Sequence, residues 1–166
     1  GKNSEEKSSL VGVDRDFISV DRLEQVLNKV QGQKVVILDA CNSGGFIGQP
    51  EAMSDKDLVE YNEDYNRGVI EAFSSRVGYL SGSQYKVIAS AHADQFAYEI
   101  RYPSGWGGEL TREYTLATGY GGEYLADLNL DGDISVREIY SYLQRRMSYS
   151  DVQAYPANSD FIIASK

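Results

Sequence analysis

Cysteine, histidine and basic charge are all scarce in this chain of 166 residues, which holds one Cys, one His and 16 Lys and Arg against 25 Asp and Glu. A single thiol, Cys41, excludes an internal disulfide. A net charge of -9 argues against nucleic acid as a partner, because phosphates are held by clustered Lys and Arg. Cationic peptides would be attracted instead. No apolar run approaches the roughly 18 residues that span a bilayer, and neither a signal-peptide pattern nor an internal repeat is visible. The expectation is a soluble chain with no membrane partner, its location cytoplasmic or secreted. Thirteen tyrosines are present, but scattered half-buried Tyr is ordinary and none is given a role.

What is present suits one domain. Ser19 can cap a helix whose apolar residues Val20, Leu23, Val26, Leu27 and Val30 recur at helical spacing, with Gly32 as its stop. Strands are expected at 34–40, 85–91 and 161–164, separated by long helical or irregular stretches. Residues 108–118 read as a helix closed by Gly119, and Ile139, Leu143 and Met147 mark another. Residues 46–66, acidic and interrupted by Pro50, read as a surface excursion with a short helix at 56–61, and a further short helix is expected at 69–73. The fold class is α/β, a mostly parallel central sheet flanked by helices. A sheet this narrow leaves an edge that needs cover.

The run Val35-Val36-Ile37-Leu38 reads as a buried strand, and it leads directly into Asp39-Ala40-Cys41-Asn42-Ser43-Gly44-Gly45-Phe46. In parallel sheets ligands collect at the carboxyl ends of the strands, where Cys41 lies. Gly44 and Gly45 allow a sharp turn and a close approach of backbone to a substrate. Taken by itself, a free cysteine is equally a small buried hydrophobe.

Asp-Ala-Cys-Asn-Ser-Gly-Gly-Phe resembles the nucleophile segment of the caspase-like cysteine peptidases, closest to the metacaspase and bacterial caspase-like branch and more distantly to the clostripain-like peptidases. Three further stretches agree in order and extend the resemblance over nearly the whole chain: Val87-Ile88-Ala89-Ser90-Ala91-His92-Ala93-Asp94-Gln95, then 127–138, then Gln153-Ala154-Tyr155-Pro156 leading into Phe161-Ile162-Ile163. Asn42 departs from the His usual in metacaspases. The resemblance implies a caspase-like sandwich, with Cys41 as the catalytic thiol of an endopeptidase that acts through an acyl-enzyme. It also implies that the catalytic His precedes the cysteine on an earlier strand, yet residues 1–40 contain no histidine. The expectation is therefore that 1–166 is the C-terminal part of one caspase-like domain. Its first strands and its His would come from an upstream segment or a separate chain of the same precursor. Residues 1–16 read as an activation or linker segment, with an artificial chain end as the other reading. His92 reads as structural, with a stand-in base as the alternative.

Charge and resemblance together suggest the substrate. Asp39 precedes Cys41 by two residues, so strand alternation points both to one side. In the resembling branches this Asp lines the pocket for Arg or Lys before the scissile bond. Asp94 is a second candidate wall, or else a solvated or helix-capping carboxylate.

Residues 127–138 match the calcium-loop template, with oxygen ligands Asp127, Asn129 and Asp131 at positions 1, 3 and 5, Gly132 at 6 and Glu138 at 12. Asp133 adds a carboxylate at position 7, and Ile134 at position 8 would pack inward. Ser135 and Glu138 also form a capping box, which would satisfy the same residues without Ca2+. No cofactor is required for the chemistry. The alternative to an enzyme is an inactive caspase-like regulatory module or a calcium-binding interaction module.

Overall fold

The computed structural model describes residues 8–12, 14–47, 80–103 and 105–166. The expected helices at 56–61 and 69–73 lie outside the described residues, as does most of the 46–66 excursion. The start of that excursion is not on the surface, since Phe46 and Ile47 are buried. Within the 1–16 stretch, β1 (Ser9–Val11) pairs antiparallel with β2 (Phe17–Ser19).

Helix α1 (Val20–Leu27) begins where expected, with the Ser19 hydroxyl accepting from the Arg22 N–H at 3.3 Å. Val20 is buried, and Leu23 and Leu27 pack on the same core. Val26 and Val30 stay exposed. The chain then enters β3 (Lys34–Leu38), which pairs in parallel with β4 (Tyr85–Ala89).

Strand β4 is buried along its whole length, as a central strand covered on both faces should be. Its Tyr85, Val87 and Ala89 face the α1 side, packing with Val20, Leu38, Phe46 and Leu80. Ile88 faces the other side, toward Leu110, Ile134, Ile139 and Leu143. That second core is built by α2 (Glu109–Ala117) and α3 (Val136–Arg146). The alternation along one five-residue strand thus divides the molecule into helix, sheet and helix layers.

The sheet differs from expectation in its third member. A mostly parallel sheet including 161–164 was expected, but β4's second neighbour is β8 (Gln153–Tyr155), and it runs antiparallel. The 161–164 segment does form a strand, β9 (Ile162–Ser165), but it pairs with β7 (Asp133–Ser135) in a separate two-stranded sheet. The reason is local: Ile134 needs a partner on its core face and finds Ala164. Three-residue β8, with only Ala154 buried, carries too little apolar pattern to announce itself. The observed architecture is mixed α/β with small sheets and three helices among the described residues.

A hairpin, β5 (Glu99–Tyr102) with β6 (Gly105–Gly108), precedes α2. Strand β3 has a single partner among the described residues, and Val35 and Ile37 on it remain about 40% exposed. No helix among the described residues is long and apolar enough to cross a membrane.

Candidate functional site

Leaving β3, the chain turns at 39–46 beyond the carboxyl end of the strand. The turn is stitched to the segment that leaves β4. Gly44 N–H donates to Ala91 O at 2.8 Å, Asn42 N–H to Gln95 O at 2.8 Å, and the Asn42 amide to Ala93 O at 3.0 Å. Asn42 is left-handed, with φ 60, a conformation that Asn tolerates better than most residues. A Cβ on Gly44 would lie 2.8 Å from Ala91 O and 2.9 Å from Ala93 N, so only glycine permits this approach. Buried hydroxyls complete the joint: Ser90 Oγ accepts from Ala40 N–H at 3.1 Å and Ser43 Oγ from Ala91 N–H at 3.2 Å.

This scaffold leaves Cys41 exposed rather than sealed in a core. Its thiol contacts Ala97 O at 3.7 Å. A cavity of about 490 Å³ opens beside it, lined by Asp39, Ala40 and Cys41 from the turn after β3, by Ala97, Tyr98 and Glu99 from the segment leading into β5, and by Gly108 and Thr111. The Tyr98 ring sits 5.9 Å from that of Tyr149.

Asp39 faces this cavity and also supports the fold. Its Oδ2 accepts the N–H of Thr111 at 3.0 Å and the Thr111 hydroxyl at 2.6 Å. Gly108, the N-cap of α2, brings no side chain to satisfy the helix start, and Asp39 supplies that acceptor from another part of the chain, beside the positive end of the helix dipole. A Cβ on Gly108 would overlap the Asp39 carboxylate. One glycine is therefore required for the carboxylate to be placed here.

Asp94 lies elsewhere. Its Oδ1 is 2.7 Å from His92 Nδ1 and its side chain is 81% exposed; neither residue lines the cavity that holds Asp39 and Cys41. Among the described residues, no histidine lines that cavity. Sequence reasoning brought Asp39 and Cys41 together and missed Tyr98, Glu99, Gly108 and Thr111. The polar-apolar alternation of Glu99-Ile100-Arg101-Tyr102 was a usable strand signal for the wall they form.

The 127–138 loop folds as a closed hydrogen-bonded turn. Asp127 accepts from Asp131 N–H and Gly132 N–H at 3.1 Å each. Asn129 Oδ1 accepts from Asp131 N–H at 2.9 Å, and Asp131 Oδ1 from Asp133 N–H at 2.9 Å. Glu138 takes the Ser135 N–H and hydroxyl at 3.0 and 2.7 Å on one oxygen, and the N–H groups of Leu128 and Asn129 on the other. Burial opposes charge on Glu138, but these hydrogen bonds outweigh it and hold its carboxyl below the usual range. The capping box at α3 is complete, and Ile134 is fully buried as expected.

The donor set has the hard-oxygen chemistry that calcium requires. Among the described residues no group of three or more His, Cys, Asp or Glu side chains converges as a metal cluster, and the loop oxygens are engaged in hydrogen bonds. Here Asp127, Asn129, Asp131 and Glu138 serve the backbone of the loop, while Asp133 starts β7.

No family model matches this chain, and no curated protein matches it.

Proposed function

We propose that this chain carries the nucleophile of a caspase-like cysteine endopeptidase that cleaves after Arg or Lys, with its general acid/base His supplied by an upstream segment or a separate chain. The observation that carries this reading is that an exposed thiol and a carboxylate, two residues apart at the carboxyl end of a parallel strand, open onto one cavity. Among the described residues one edge of β3 has no partner and Val35 and Ile37 are about 40% exposed, which leaves room for a further strand to dock there.

In the proposed reaction the Cys41 thiolate adds to the scissile carbonyl carbon, forming a C–S bond and a tetrahedral oxyanion. The Cys41 N–H, which donates to no group among the described residues, is one oxyanion donor. The second would be a backbone N–H of the histidine-bearing segment. Collapse of the oxyanion breaks the C–N bond, and the imidazolium protonates the leaving amine. Water then hydrolyses the thioester with the same imidazole as base. The Asp39 carboxylate receives the cationic side chain before the scissile bond, through the oxygen not bonded to Thr111.

A second reading, an inactive regulatory module that binds basic peptides, is favoured by the absence of a cavity-lining histidine among the described residues. Hydrolysis of arginyl, lysyl and aspartyl peptide amides by the native protein, as isolated from its source, separates the two. Turnover of the basic pair, lost in Cys41→Ala, supports the peptidase. Binding of those peptides without turnover supports the module.

A further inference from the structure

The groove holds a second carboxylate that this reaction leaves unused. We infer that Glu99 and Asp39 together grip a single guanidinium, so that the groove selects Arg over Lys; this rests on the basic-substrate reading above.

The number of free acceptor oxygens decides which cation is held. Both hydrogen bonds of Asp39 fall on Oδ2, from the Thr111 N–H and hydroxyl, so Oδ1 alone remains for a ligand. An ammonium is a compact point charge that one oxygen can serve. A guanidinium presents five N–H donors in a rigid planar fork and is held best by two acceptor oxygens at once. A second oxygen must come from another residue.

Strand register places Glu99 to provide it. Glu99 lies opposite Gly108 in the β5–β6 hairpin, and cross-strand partners project to the same face with Cβ atoms about 5 Å apart. The side-chain space of Gly108 on that face is the space that Asp39 fills. Glu99 therefore springs from the backbone within one side-chain length of the Asp39 carboxylate, and both line the same cavity. The Glu99 side chain is exposed, with no hydrogen bond or ion pair among the described residues. Arg101, two residues along the same face, neither pairs with it nor lines the cavity. Tyr98, next to Glu99 in the cavity lining, adds an aromatic surface suited to a flat cation.

Binding tests this without needing the missing histidine. Titrating n-butylguanidinium and n-pentylammonium at low ionic strength, with backbone amide NMR shifts at Cys41, Glu99 and Thr111 as the readout, should show tighter binding of the guanidinium. Glu99→Gln should weaken the guanidinium about tenfold, the loss of one charge-assisted contact, and the ammonium much less, removing the preference. If Glu99→Gln binds the guanidinium as the native chain does, while Asp39→Asn loses it, the inference is overturned and the basic-substrate reading stands. If the native chain binds neither cation at these amides, both fall.

Discussion

In the 127–138 loop, Asp127, Asp131 and Glu138 each have both carboxylate oxygens hydrogen-bonded within the loop. In the groove, Asp39 has one oxygen engaged, and Glu99 has neither engaged among the described residues. Both regions are acidic and both lie next to a glycine turn. What separates them is the supply of backbone donors. A tight turn followed by a helix start exposes many N–H groups, and the loop carboxylates are consumed in satisfying them. At the groove only the start of α2 makes that demand, and Asp39 meets it with half of its carboxylate.

The packing differs in the same sense. Leu143, in the core between α3 and the sheet, is fully buried, whereas Ile37 on β3 is 40% exposed. Leu143→Ala should cost about 3 kcal/mol of stability, while Ile37→Ala should cost less than about 1 kcal/mol. Chemical denaturation of both variants measures the contrast, and equal losses would break it.

A smaller effect is expected at the joint behind the groove. Gly44→Ala must displace backbone at Ala91 and Ala93, at a cost of roughly 2 kcal/mol. Because the same segment carries Ala97 and Tyr98 into the cavity wall, amide NMR shifts should spread from residue 44 to 97–99. Shifts confined to 43–45 would show that the two segments are not coupled.

At Asp39 the dual role can be divided by two substitutions. Asp39→Ala removes the acceptor at the α2 start and should lower stability by about 1 kcal/mol. Asp39→Asn keeps an acceptor oxygen for Thr111 and should cost only a few tenths of a kcal/mol. Both should abolish selection of basic substrates. A thermal melt in which the two variants match would remove the capping role.

The weakest and most gradual effect concerns pH. Glu138 titrates below the usual Glu value of 4.5 when folded, so the folded state binds its proton less readily than the unfolded chain does. Its contribution to stability is present above about pH 4.5 and is lost as pH falls through the lowered folded value. Glu138→Gln should flatten that part of the acid limb. An unchanged limb in the variant would assign the acid sensitivity elsewhere.

The parts legible in the sequence were those with a strong local signal. The starts of α1 and α3 carry Ser caps, the runs at β3 and β4 are apolar, and Ile134 sits at an inward position of a loop template. Glu99 and Thr111 were not legible as site residues, because their place in the groove depends on a hairpin whose second strand, Gly-Trp-Gly-Gly, has no apolar alternation. The loop illustrates the opposite difficulty. Its residues match an ion-binding pattern and a capping box equally well, and the structure displays the hydrogen bonds of the box. The antiparallel entry of β8 was hidden for a similar reason, since three residues with one buried alanine specify neither partner nor direction.

Under the proposed function, Cys41 belongs to an assembled nucleophilic site that accepts a basic side chain. Intact-mass analysis of the native protein after exposure to arginyl and aspartyl acyloxymethyl ketones tests it most directly. A single adduct on Cys41 from the arginyl reagent, absent with the aspartyl one and with Asp39→Asn, is the predicted result. Equal labelling by both reagents, or none by either, would contradict it.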